Sequence, residues 1–187
     1  MNNLCADIGY RSLIKYGEEL CGDNIQVIEK DDGSTIIVLA DGLGSGVKAN
    51  ILSTLTSKIL STMMAQGMKV EDCVETMAQT LPVCSVRGVA YSTFTIIYIR
   101  DNDEADIIQY DNPDVILLRN GQNYDYPQTI SDICGKKISR STIKLCEDDI
   151  FIAMSDGCIH ASIGQELNFG WDRNEIIEFM ESFFQVG

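Results

Sequence analysis

Four consecutive aliphatic residues, Ile36-Ile37-Val38-Leu39, lead through Ala40 into the loop Asp41-Gly42-Leu43-Gly44-Ser45-Gly46. A run that is apolar at every position describes a strand covered on both faces. Beyond the loop, Ile51, Leu52, Leu55, Ile59, Leu60, Met63 and Met64 recur at helical spacing, and Gly67 stands where a helix C-cap is expected. A second helix is predicted from Glu71 to Leu81, stopped by Pro82.

Short, partly alternating segments predict strands at Leu4 to Gly9, Ser12 to Tyr16 and Asn24 to Lys30. Asp31-Asp32-Gly33 reads as the turn of a hairpin, and that role accounts for it fully. Further strands are expected at Tyr91 to Arg100, Ala105 to Tyr110, Val115 to Arg119, Ser139 to Leu145 and Ile150 to Met154. Asn120-Gly121 is a type I′ hairpin signal. A last helix is predicted from Arg173 to Phe184. The order is strands, two helices, many strands, then a helix, with hairpin-length connections in the second half. That is an α+β fold with antiparallel sheets rather than alternating βαβ units.

The 187 residues suit one domain, since a single core usually takes about 150 residues. The 28 acidic against 14 basic residues, a net charge of −14, argue against nucleic acid and anionic membrane as partners. A phosphorylated ligand would need a cation or a nest of donors to approach such a chain. No apolar run is long enough to cross a bilayer. The seven cysteines are odd in number, and none are paired as C-x-x-C. They are expected to be buried or half-buried thiols in a reducing cytoplasm.

Three acids stand at strand ends beside glycine, in Gly22-Asp23-Asn24, Asp41-Gly42 and Ser155-Asp156-Gly157. A carboxylate at a strand end is held by the sheet yet points into a loop-lined cleft. The adjacent glycine lets a backbone carbonyl face the same ion. Such oxygen-only sets suit hard cations such as Mg²⁺ and Mn²⁺. Clustered acids also repel one another until a cation neutralises them. Asp-Gly is a common turn dipeptide. Asp41 and Asp156, however, both follow strongly apolar strands, where a merely solvated acid is less expected. The glycine loop does not match a dinucleotide fingerprint, because its third glycine falls one position early, and it lacks the G-K-[ST] of a P-loop.

Taken together, Gly22-Asp23, Val38-Leu39-Ala40-Asp41-Gly42-Leu43-Gly44-Ser45-Gly46-x-x-Ala49 and Met154-Ser155-Asp156-Gly157 resemble the metal-dependent protein serine/threonine phosphatases of type 2C, in their bacterial SpoIIE-like branch. The resemblance implies a sandwich of two antiparallel β-sheets flanked by helices, with two Mn²⁺ or Mg²⁺ ions in the cleft between sheet edges. It implies that Asp41 bridges the ions, that the Gly42 carbonyl binds one, that Asp156 binds the second, and that Asp23 lies close by, directly or through water. Asp41 and Asp156 would be the catalytic residues. The implied reaction is hydrolysis of phosphoserine or phosphothreonine on a regulatory protein, such as an anti-sigma-factor antagonist, by a metal-activated water. No protein nucleophile is then needed, so the cysteines, Ser45 and Ser155 have no covalent role.

Two departures bear on this. Many eukaryotic relatives place a histidine after the Asp-Gly, where this chain has Leu43, and His160, the only histidine, is expected to be structural or solvated. The family also carries a further metal-binding aspartate in a D-[DN]-x-T stretch on its last strand. No such stretch occurs up to Gly187, and Asp172 precedes a helix. The expectation is a single phosphatase-like domain over 1–187 whose last strand is lacking. The competing expectation is a degenerate, non-catalytic domain that binds a partner.

Overall fold

Period-two alternation sorts the apolar residues of the strands between two cores, as a strand covered on both faces requires. The computed structural model describes residues 4–14, 16–80, 92–161 and 170–184. Strands β1 (Asp23–Glu29) and β2 (Thr35–Gly42) form a hairpin, followed by helices α1 (Gly46–Ala65) and α2 (Val70–Thr80). The chain continues with β3 (Ser92–Arg100), β4 (Glu104–Tyr110), β5 (Ile116–Arg119), β6 (Gln122–Asn123), β7 (Thr129–Ile133), β8 (Lys136–Lys144) and β9 (Ile150–Ile152), then α3 (Asp156–Ile159) and α4 (Arg173–Phe184). Six strands form one sheet in the order β1-β2-β3-β4-β8-β7, and three form a second in the order β6-β5-β9. All pairings are antiparallel.

Ile36, Val38, Phe94, Ile96, Ile108 and Tyr110 face α1 and α2, where they meet Leu52, Leu60, Met64, Val74 and Met77. The alternate residues Ile97, Ile99, Ala105 and Ile107 face the three-stranded sheet and meet Val115 and Leu117. Ile116 and Leu118, on the outer face of that sheet, meet Ile176 and Ile177 of α4. The layers are therefore helices, sheet, sheet, helix.

Several element ends follow from local chemistry. Helix α1 stops in a Schellman motif: Gly67 (φ +79°) donates to the Met64 carbonyl and Met68 to that of Met63. Helix α4 starts in a capping box, in which the Asp172 carboxylate accepts from the Asn174 amide and Glu175 accepts from the Asp172 amide. Asp172 is thus a helix cap. Asn120 and Gly121 both take positive φ and join β5 to β6, as the type I′ signal predicts.

Three expectations are corrected. Leu4 to Gly9 and Ser12 to Tyr16 are not strands: their described residues join no sheet, and Leu13 and Ile14 stay exposed. Alternation without a neighbouring ladder does not hold a strand. Strand β7 was not expected, and its hairpin turns on Cys134-Gly135, both at positive φ. Of the described cysteines only Cys73 is buried, whereas Cys5, Cys134, Cys146 and Cys158 are exposed on loops, turns and the short α3. Leu81, Pro82, Cys84 and Tyr91 lie outside the described residues. Among the described residues no helix is long and apolar enough to cross a membrane.

Tyr126 fastens the interface between the sheets. Its hydroxyl donates to the Val115 carbonyl at 2.6 Å, and burial pushes the phenol up to about 12. Tyr126→Phe removes that bond. It should lower stability by about 1 kcal/mol, read as a lower urea midpoint with an unchanged slope.

Candidate functional site

The hairpin register sets Asp23 directly opposite Asp41. Residues facing each other across an antiparallel pair project from the same side of the sheet. On its other flank Asp41 is paired with Thr93 of β3, and the Ser92 hydroxyl donates to the Asp41 carbonyl at 2.9 Å. Asp41 shares the parity of Ile37 and so faces the second sheet, whereas Gly42 faces α1.

Gly42 has a steric reason to be glycine. A Cβ there would lie 2.0 Å from the carbonyl oxygen of Ala49 and 2.6 Å from its carbonyl carbon. Ala49 is fully buried against the strand end. The motif's last residue and its first glycine are therefore two halves of one contact. The Gly42 amide also donates to the Gly22 carbonyl at 3.1 Å, and the Asn50 side chain donates to the Cys21 carbonyl at 2.8 Å. These bonds tie the approach to β1, the end of β2 and the first turns of α1 into one unit. Gly44 (φ +103°) and Gly46 (φ +69°) make the turn between them.

The third acid arrives from the second sheet. Strand β9 leads to Ser155, and Asp156 is the first residue of α3. The Ser155 hydroxyl donates to Asp23 Oδ2 at 2.8 Å, a link across 132 residues of chain. The Asp41 carboxyl is pushed up to about 8, first by burial, then by the negative charges of Asp23 and Asp156, and then by hydrogen bonding with those same two groups. All three acids picked out in the sequence thus meet at one place. His160 is exposed and contributes its backbone amide to the Asp156 carbonyl at 2.9 Å.

The sequence gives no sign that Ser92 braces Asp41, or that Thr93 donates to Asn112 and Asn112 to Thr95 beside it. Ser155 is visible only as part of Ser155-Asp156-Gly157. Cys158 lies close enough to the acids for Asp23 and Asp156 to raise its thiol, after the larger effect of partial desolvation. A thiol raised in this way is a poorer nucleophile at neutral pH.

A half-buried carboxyl flanked by two others is a set that a cation would relieve. The donors are oxygens, as hard divalent ions prefer, and Mg²⁺ is commonly held by only one or two carboxylates with water completing its shell. Among the described residues no three His, Cys, Asp or Glu side chains are already closed into a metal cage. The set therefore fits an open, partly hydrated site.

A profile of the family described as Stage II sporulation protein E (SpoIIE) matches residues 31–182. Among solved structures, the chain is similar to the PP2C phosphatase domain, with a fragment of the regulatory domain, of the cell fate determinant SpoIIE from Bacillus subtilis. The identity is 19%, the TM-score 0.68, and the match covers 92% of this chain and 55% of that one. It is similar to the RsbU and RsbW domains of a Mycobacterium tuberculosis protein at 16% identity and a TM-score of 0.70, over 92% of this chain and 48% of that one. RsbX in complex with magnesium is 25% identical with a TM-score of 0.62, over 92% of this chain and 85% of that one. The chain spans about half the length of the first two. No curated protein sequence matches it significantly.

Proposed function

The chain belongs to the SpoIIE family, and from that premise we propose that it is a divalent-metal-dependent phosphatase acting on phosphoserine or phosphothreonine of a regulatory protein. The observation that carries this reading is the meeting of Asp23, Asp41 and Asp156, seen in the raised Asp41 carboxyl and in the Ser155 link to Asp23. In this reading Asp41, Asp156, Asp23 and the Gly42 carbonyl would hold Mn²⁺ or Mg²⁺. When bound, the ions supply an activated water and screen charge on the phosphoryl oxygens.

The protein's own part is to fix the ligands and to offer no rival nucleophile. The β1–β2 register and the Ser92 hydroxyl hold Asp41. Gly42 lets the strand end press onto α1. Ser155 donates to a carboxylate and is not poised as a nucleophile, and Cys158 is held towards its thiol form. Part of the −14 net charge is then a cation site, and most of the rest is a solvated surface. The likeness to a magnesium complex of RsbX supports a divalent ion. The likeness to SpoIIE, described as a cell fate determinant with a regulatory domain, supports a regulatory phosphoprotein as substrate, such as an anti-sigma-factor antagonist. One phosphatase-like domain over 1–187 in the cytoplasm belongs to the same proposal.

Release of phosphate from an aryl phosphate and from a phosphoserine peptide tests the reaction. The expected result is turnover with Mn²⁺ that stops in EDTA. Turnover that persists in EDTA would overturn the metal-dependent mechanism. Ion binding without turnover would favour the second reading, a non-catalytic domain that binds a partner. The lack of a closed three-side-chain cage among the described residues is the observation on that side.

A further inference from the structure

Ser155 sits at the N-cap of α3 in extended backbone geometry (φ −82°, ψ 170°), yet its side chain makes no cap hydrogen bond. A serine there ordinarily accepts from the amides of its own helix. Here the hydroxyl donates to Asp23 Oδ2 at 2.8 Å. Ser155 is 7% exposed, so water competes poorly for this bond. The contact joins the first residue of β1, in the six-stranded sheet, to the turn that follows β9, in the three-stranded sheet. One carboxylate oxygen of Asp23, Oδ2, is engaged by the serine.

We propose that Ser155 is a positioning residue of the candidate metal site. Through Asp23 it fixes one carboxylate beside Asp41, and its peptide neighbour Asp156 is brought to the same point. The hydroxyl thereby sets the spacing of acids contributed by two different sheets. The general basis is that groups hydrogen-bonded to metal ligands hold those ligands in their binding orientation, and that their removal commonly weakens metal affinity about tenfold to a hundredfold. This inference rests on the metal-site reading above.

The test is titration calorimetry with MnCl₂ on the whole chain, together with thermal melting without the ion. Ser155→Ala is expected to weaken Mn²⁺ binding about tenfold or more, and Ser155→Thr, which keeps the hydroxyl, to restore most of it. In an Asp23→Asn background the same Ser155→Ala change should have little further effect, because the two residues act as a pair. A purely structural serine would instead lower the ion-free melting temperature and cost the same affinity in both backgrounds, and that result would overturn the proposal. So would Mn²⁺ binding by Ser155→Ala equal to that of the parent. The two readings separate cleanly. If the parent takes up no Mn²⁺, the metal site itself fails. If the parent binds, Asp41→Asn does not, and Ser155→Ala matches the parent, only the role of Ser155 fails.

Discussion

Asp41→Asn is expected to reduce Mn²⁺-dependent phosphate release by about a thousandfold or more. As a metal ligand Asp41 would support several kcal/mol of transition-state stabilisation, and each 1.36 kcal/mol lost is tenfold in rate. The same change should not harm the ion-free fold, and at alkaline pH it should help it. Burial and the charges of Asp23 and Asp156 hold the Asp41 carboxyl at about 8, well above its ordinary 3.8. The folded state therefore keeps a proton that the unfolded chain has already released. The stability this group contributes is full below the unfolded value, and it is lost as pH rises through about 4 to about 8. Without divalent ions, the parent should melt at progressively lower temperature across that window, and Asp41→Asn should flatten this part of the profile. A parent profile that rises towards pH 8, or one unchanged by Asp41→Asn, contradicts the acid cluster.

Gly42→Ala is expected to be the most damaging small substitution in the loop. The added methyl would sit 2.0 Å from the Ala49 carbonyl oxygen, a backbone atom that cannot swing aside as a side chain can. Either the end of β2 or the first turns of α1 must shift. An overpacked core contact of this kind costs up to about 3 kcal/mol. For a chain of this size that corresponds to a fall of about 6–12 °C in melting temperature. Because Asp41 is the adjacent residue on β2, the shift should also weaken Mn²⁺ binding. Gly33→Ala is the informative control. Gly33 has φ +82° but open space where a methyl would go, so its cost is backbone strain alone, about 1–2 kcal/mol, with ion binding intact. Equal losses for the two variants would show that the close approach to Ala49 does not matter.

Much of this arrangement is written in local pattern. The aliphatic run of β2, the helical spacing of α1, the Gly67 stop and the Asn120-Gly121 turn each depend on residues close together in the chain, and each is found as expected. The three acids beside glycine are legible as residue types, and Asp41 and Asp156 the more so because each follows a strongly apolar segment, where a merely solvated acid is less expected. What joins them is not. The Ser155 bond to Asp23 spans 132 residues, so no local pattern records it. Ala49 is legible as the last residue of the glycine-loop motif, but its steric reason, the contact with Gly42, is not. The β7–β8 turn was hidden because Cys134 occupies a left-handed position where asparagine, aspartate or glycine is the usual signal. The first residues show the opposite case. Leu4 to Tyr16 carry some alternation, but a strand also needs an edge to pair with, and sequence periodicity cannot supply one.

The central claim is that Asp23, Asp41 and Asp156 together form a divalent-cation site. Calorimetric titration of Mn²⁺ into the parent and into Asp41→Asn, at one pH and ionic strength, tests it most directly. The predicted result is saturable binding by the parent that Asp41→Asn abolishes. No saturable binding by the parent, or binding of equal affinity in the variant, would contradict it.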